Sequence, residues 1–188
     1  MSDTAALAAA LILMFAVLPI WVLAGLADYL CHRASSIETT SGPKESALHL
    51  LQLSLVGLPV LLALFLEIDA ALLALMIVCL LLHHAVAYLD IRYANTTREV
   101  TPLEQMVHSF LELMPLTAFA LLCVLHWNQA ASLFGFGPDQ ADFSFKLKSQ
   151  PLPLVYVAGL LTATFLLNAL PYAEEMIRTL RANHRITA

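Results

Sequence analysis

Long apolar runs separated by short polar connections are the main pattern of this chain. Five such runs have close to the roughly 20 residues that a helix needs to cross a bilayer core of about 30 Å. They cover Ala5–Ala27, Ser46–Leu66, Ala70–Leu89, Gln105–Trp127 and Pro151–Ala173. The pattern therefore predicts five transmembrane helices, and the expected fold class is an all-α integral membrane protein.

The composition agrees with this prediction and limits the classes of partner that are expected. Of the 188 residues, 60% are hydrophobic and only 12% are charged, whereas a soluble domain usually has about 25% charged residues. The net charge of −5 comes with no basic stripe, so nucleic acid is not an expected partner. The cysteines Cys31, Cys79 and Cys123 have no CxxC spacing, so neither a disulfide framework nor a zinc ribbon is expected. The lipid bilayer is the expected partner.

The basic residues predict an orientation, because Lys and Arg are enriched in cytoplasmic connections. With five spans, seven of the nine basic residues fall on one side, and only Lys146 and Lys148 fall on the other. The seven are Arg33, Lys44, Arg92, Arg98, Arg178, Arg181 and Arg185. We therefore expect the N-terminus outside and the C-terminus in the cytoplasm, with a bacterial inner membrane as the location.

A gapless internal match at an offset of 59 residues relates the first two predicted helices to the next two. Six of the 21 residues from Tyr29 to His49 are identical with those 59 positions later, so that Glu45 and His49 match Glu104 and His108. Each unit is one helical hairpin, and both hairpins have the same orientation. The match predicts a four-helix bundle with a pseudo-twofold axis along the membrane normal.

The whole chain is expected to form a single transmembrane domain. Its predicted parts are the two repeats (5–66 and 70–127), an outer loop (128–150), a fifth helix packed outside the bundle (151–175) and a basic cytoplasmic tail (176–188). Polar and apolar residues alternate within the outer loop, which indicates a short hairpin on the membrane surface.

Ionisable residues cluster at the cytoplasmic ends of the first four helices. They are Asp28, His32, Glu45, His49, His83, Asp90, Glu104 and His108. Such residues are costly inside a bilayer and usually face the bundle interior, where they are functional candidates. Three pairs are spaced four residues apart, and His83 and Asp90 are spaced seven apart. Each spacing places both side chains on one helix face.

This set of side chains resembles the donors of a metal centre. Di-iron and di-manganese bundles combine carboxylates from two helices with Glu-x-x-His pairs from two others. We therefore predict that the eight residues bind two transition-metal ions. A mixed nitrogen and oxygen set suits iron, which we favour, as well as manganese or zinc. Haem is not expected, because the histidines crowd one side of the membrane and are matched by carboxylates.

Simpler interpretations of the same residues stay open at this point. Glu104 follows Thr101 and Pro102, so it could act only in a helix-capping box. The cluster as a whole could be a buried polar network without metal. Whether His84, Glu112, Glu174 or Glu175 take part is undecided; the two last are expected on a solvated face, although one could close over the site.

With these donors the chain resembles membrane-embedded di-iron proteins in the broad sense of fatty-acid hydroxylases, desaturases and alternative oxidases. Of the HxxHH box of the hydroxylases and desaturases, the chain has only the pair His83 and His84. The Glu-x-x-His motif of the alternative oxidases is replaced by a Glu–His spacing of four residues. The resemblance implies O₂-dependent oxidation of a lipid-soluble substrate, with an electron donor as a further partner. Glu112 and Tyr88 are the catalytic residues expected for this reaction.

Three other function classes compete with this interpretation. A zinc-dependent lipid hydrolase would use a metal-bound water and a carboxylate base. A b-type cytochrome would need histidines at both sides of the membrane. A divalent-cation transporter would be expected to have ligands near the midplane and inverted repeats, whereas the repeats found here are parallel.

Overall fold

The computed structural model describes residues 2–187, and within this range it is all-helical, without strands. Five long helices, α1 to α4 and α6, are apolar enough to cross a membrane, and a short helix, α5, lies between the last two. Their bounds are α1 Asp3–Ala34, α2 Pro43–Phe65, α3 Ala70–Thr97, α4 Pro102–Leu125, α5 Trp127–Ser132 and α6 Leu154–Arg185. The prediction of five helices long and apolar enough to cross a membrane is confirmed.

Three of the long helices extend beyond their predicted ends on the basic side of the protein. α1 continues from Ala27 to Ala34, α3 continues from Leu89 to Thr97, and α6 continues to Arg185, through most of the predicted tail of residues 176–188. An apolar run ends at its first charged residue, but a helix continues where its polar side chains find partners on neighbouring helices. These extensions carry several of the ionisable residues of the predicted site.

The helix starts follow familiar capping rules. Asp69 accepts a hydrogen bond from the Leu72 amide at 3.0 Å, and Thr101 accepts one from the Glu104 amide at 3.2 Å. α2 begins differently, since Gly42 has a φ of 68° and the next residue is Pro43. A positive φ favours glycine, and proline suits the first helical position. The caps therefore explain why these helices begin where they do.

The bundle pairs α1 with α4 and α2 with α3, and α6 packs against α1 and α2. α6 approaches α1 closely at Gly25. A Cβ atom at this position would lie only 2.3 Å from Asn168 Nδ2, so the contact requires glycine. The Asn168 amide donates to the Val22 carbonyl at 3.0 Å. Thus α6 is an integral part of the bundle at this end, whereas the pseudo-twofold relation between the hairpins stays a prediction.

The expected hairpin in the outer loop is wrong for the residues that the structure describes. A single isolated bridge joins Leu66 and Leu147. The loop backbone pairs with the turn between α2 and α3, since the Glu67 amide donates to the Lys146 carbonyl at 2.9 Å. Hydrogen bonds from the Ser149 amide and hydroxyl also lower the pKa of Glu67. The Lys146 carbonyl and the Ser149 amide are therefore bonded to Glu67 and not to another segment of the loop.

The orientation in the membrane stays a prediction, and two exposed positions test it. Thr40 lies at the basic end and Gln140 in the opposite loop. In a background without Cys31, Cys79 and Cys123, a cysteine at position 140 should react with a membrane-impermeant maleimide in intact spheroplasts. A cysteine at position 40 should react only after the membrane is opened. The reverse pattern, or labelling of both positions in intact spheroplasts, would contradict the orientation.

Candidate metal centre

A buried polar cluster lies at the basic end of the bundle, and all five long helices contribute to it. Its carboxylates and imidazoles come from Asp28, His32, Glu45, His49, Asp90, Glu104, His108 and Glu175. All except His108 are at most 5% exposed. Ligand atoms of these residues form four overlapping groups, within each of which they lie within 4.8 Å of one another.

The first part of the cluster, the α1–α4 group, consists of Asp28, His32, Glu104 and His108. Asp28 Oδ1 lies 2.8 Å from His108 Nε2 and 3.5 Å from His32 Nε2. His32 Nε2 is also 3.5 Å from Glu104 Oε1. Asp28, His32 and His108 thus form one set of neighbouring ligand atoms, whereas Glu104 forms another with His32 and Glu45.

The second part, the α2–α3 group, consists of Glu45, His49 and Asp90. His49 Nε2 lies 3.1 Å from Asp90 Oδ2 and 3.8 Å from Glu45 Oε1. The Gln52 amide donates to Asp90 Oδ2 at 2.9 Å and orients this carboxylate. This group offers one imidazole and two carboxylates.

Glu175 of α6 connects the two groups. Its Oε2 lies 3.0 Å from His32 Nδ1 and its Oε1 lies 2.8 Å from His49 Nδ1. The two imidazoles are stacked, with ring centroids 4.2 Å apart and an angle of 8° between the planes. Because an ionised carboxylate only accepts hydrogen bonds, each ring donates through Nδ1–H. In a neutral imidazole the Nε2 lone pair is then free to bind a metal ion.

The two glutamates at this point of α6 have different roles. Glu174 is partly exposed on the outer face of α6 and pairs with Arg33 and Tyr29, in keeping with the predicted solvated face. Glu175, predicted on the same face, is instead fully buried. The sequence does contain a signal for this inner face. Asn168, Tyr172, Glu175 and Thr179 form a helical stripe of polar side chains, and all four are buried.

Tyr172 of that stripe contacts the α1–α4 group. Its hydroxyl lies 2.9 Å from Asp28 Oδ2 and 3.2 Å from the Gly25 carbonyl. A phenolic hydroxyl has one proton to donate, so a bond to Asp28 fixes one oxygen of that carboxylate. The other oxygen, Oδ1, remains directed at His108 and His32.

Arg98 is the one cation inside this cluster among the residues that the structure describes. Its Nη2 lies 2.5 Å from Glu45 Oε1 and 2.5 Å from Glu104 Oε1. Burial opposes its charge, but the hydrogen bonds to Glu104 and Glu45 raise the pKa of the guanidinium. In the sequence, Arg98 indicates only the orientation of the chain in the membrane. The five carboxylates and this guanidinium give the cluster a net charge of −4 when its imidazoles are neutral.

Three predicted site residues lie outside this convergence. His83, expected to bind metal, belongs to none of the four groups, because seven residues of α3 separate it from Asp90 by about 10 Å. Tyr88 is 65% exposed on the outer surface of α3. Glu112 is partly buried beside the cluster rather than in it. The other seven predicted ligands are brought together.

Several buried atoms of the cluster are placed where a metal ion could bind them. Asp28 Oδ1, His32 Nε2, His49 Nε2 and Asp90 Oδ1 have no hydrogen-bond partner among the described residues. Two ligands each about 2.1 Å from one ion are roughly 3.0–3.4 Å apart at bond angles of 90–109°. The nitrogen–oxygen distances of both groups, 2.8–3.8 Å, span this range. The residues can therefore hold a metal ion.

A cavity of about 110 Å³ begins at this cluster and continues between the helices. Asp28, His49, Asp90 and His108 form its polar end, and its other walls are mainly apolar. Trp21 of α1 lines it seven residues before Asp28, which corresponds to about 10 Å along the helix. The cavity therefore connects the cluster with the apolar part of the bundle.

Comparison of the chain with protein-family models, curated proteins and solved structures finds no match. The geometry of the cluster and its cavity is therefore the basis for the function proposed next.

Proposed function

We propose that this protein is a membrane-bound oxidoreductase that uses two transition-metal ions and O₂ to oxidise a lipid-soluble substrate. The observation that supports it best is the bridge made by Glu175, which accepts from Nδ1 of both His32 and His49. Histidines that bind metals usually donate their other ring nitrogen to such a carboxylate. The Nε2 atoms of His32 and His49 would then each be available to bind a metal ion.

The charge of the cluster supports two divalent ions rather than one. The five carboxylates and the Arg98 guanidinium together have a net charge of −4, which two divalent cations would balance. Uncompensated charge at this degree of burial is strongly unfavourable. The mixed nitrogen and oxygen donors suit iron, manganese or zinc, and we favour iron, which when bound supplies the redox chemistry with O₂.

The chain's own residues orient the donors and exclude water. Glu175 holds the Nδ1 protons of two imidazoles, Tyr172 holds one oxygen of Asp28, and Arg98 holds Glu45 and Glu104. Such preorganised surroundings reduce the rearrangement that a reaction requires. Only His108 in the α1–α4 group has noticeable exposure, at 12% of its side chain.

The apolar cavity favours oxidation over hydrolysis. A hydrolase consumes water, but this cluster is buried and its cavity continues between apolar side chains such as Leu18, Val56 and Leu160. O₂ and lipids both dissolve in hydrocarbon and can reach the site from the bilayer. The stacked rings of His32 and His49 also leave no room for a haem between them, which weighs against a b-type cytochrome.

The pseudo-twofold repeat gives this proposal a symmetric form. Under the 59-residue offset, His49 corresponds to His108. Each of them contacts an aspartate of the paired helix, since His49 Nε2 lies near Asp90 and His108 Nε2 near Asp28. We propose that the axis passes between the two metal positions, so that the two histidines have equivalent roles.

The metal content of the purified protein tests this proposal. Protein extracted in mild detergent without chelator should contain close to two transition-metal ions per chain, with iron in excess, and should show no Soret band. Elemental analysis and an optical spectrum measure both. Metal content near zero, or a Soret band, would overturn the proposal, and zinc alone would support the hydrolase instead.

A further inference from the structure

His83 occupies an unusual position for a buried histidine. It is 4% exposed, and neither ring nitrogen makes a well-aligned hydrogen bond among the residues the structure describes, although the backbones of Gln52 and Leu111 lie near the ring. Leaving a buried polar group without a partner is costly. It belongs to none of the groups of candidate metal ligands, so we looked for a different role.

His83 lines the cavity together with Glu112 of α4. Two other polar side chains of the same wall already have partners, since Gln52 donates to Asp90 and Asn168 donates to the Val22 carbonyl. Small-molecule sites typically combine apolar walls with a few convergent polar groups. His83 and Glu112 supply such groups about one to two helical turns from the cluster.

We propose that His83 and Glu112 bind the hydroxyl group of a neutral, linear lipid alcohol whose alkyl chain occupies the apolar cavity. This proposal names the substrate class of the proposed oxidoreductase and in that sense rests on it, although the binding can be tested separately.

The chemistry of the two side chains selects this class. A neutral imidazole offers one donor and one acceptor, which a hydroxyl group matches because it can both accept and donate. A fatty-acid carboxylate would place a charged group in this largely apolar cavity, next to Glu112. An alkane would leave His83 without a partner.

The size of the cavity favours a linear molecule. A cavity of about 150 Å³ accommodates a benzene ring, and this one measures about 110 Å³. An alkyl chain has a narrower cross-section than a substituted ring, and the part of a chain that exceeds the cavity would extend from it between the helices. Trp21, Val56 and Val60 are among the residues that would contact the chain.

Photolabelling of the intact protein in lipid nanodiscs tests the inference. The probe is a diazirine analogue of dodecan-1-ol, and labelled residues are located by mass spectrometry. Cavity residues such as Leu53 and Val56 should be labelled. Unlabelled dodecan-1-ol should compete at least tenfold better than dodecanoate or dodecane. Equal competition by the three compounds would overturn the assignment.

Variants of His83 separate this site from the metal centre. His83→Leu should lower cavity labelling at least tenfold with unchanged metal content, and His83→Asn, which keeps a donor and an acceptor, should restore most of it. His84→Leu is the matched control, since His84 Nδ1 is already bonded to the Leu80 carbonyl, and should change neither readout. Full labelling of His83→Leu, or its loss of metal, would overturn the inference. Wild-type protein that contains no metal when purified without chelator, yet keeps the preference for the alcohol, would refute only the proposed function.

Discussion

Replacing Glu175 with glutamine should weaken metal binding 10- to 100-fold, the usual effect of removing a carboxylate that supports ligating histidines. The substitution keeps the size of the side chain but removes the charge that fixes His32 and His49 as Nδ1–H donors. Both Nε2 atoms then lose their defined orientation at once. Titration of the metal-depleted protein with Fe²⁺ or Zn²⁺ measures the affinity.

Glu174→Gln is the matched control for this experiment, because Glu174 is the adjacent residue and pairs on the outer surface with Arg33. It should leave the metal affinity unchanged. A purely structural role for Glu175 gives a different result. Loss of one partner of a buried ion pair typically costs about 3–5 kcal/mol, and this loss would be the same with and without chelator.

Thermal unfolding separates the two roles. Metal that binds only the folded protein adds about 2.7 kcal/mol at a concentration 100 times its dissociation constant. We therefore expect a chelator to lower the Tm of the wild type far more than that of Glu175→Gln. Equal shifts in the two proteins, together with unchanged metal affinity, would show that Glu175 only stabilises the fold.

The second large effect concerns the two histidines related by the repeat. His49→Ala and His108→Ala should each reduce the metal content from about two ions per chain to about one or less, with a severe and similar loss of activity. Each substitution removes an imidazole donor from one of the two groups. The carboxylates beside it then remain less well compensated in a buried setting.

Elemental analysis of protein that is still inserted in the membrane measures this effect. His126→Ala serves as the control, since His126 lies beyond the last residue of α4 at the opposite end of the bundle, and it should retain full metal content. Full occupancy in His49→Ala and His108→Ala would identify the cluster as a hydrogen-bonded network. A loss in only one of them would contradict the equivalent roles proposed from the repeat.

Local patterns in the sequence were sufficient to predict the long helices and most of the residues that meet in the buried cluster. The apolar runs give the number of spans, because crossing a bilayer requires a minimum length of apolar helix. The four-residue spacings place Asp28 with His32, and Glu45 with His49, on single helix faces, since helical geometry relates positions three and four residues apart. These features depend on residues close together in the chain.

The tertiary structure alone decided which distant residues meet. Glu175 lies 143 residues from His32 and 126 residues from His49, and Arg98 reaches Glu45 across 53 residues. His83 has a spacing that suits a ligand, yet its position along α3 takes it away from the cluster. Helical periodicity determines the face on which a side chain lies, whereas the packing of α6 and the relative heights of the helices determine what that face contacts.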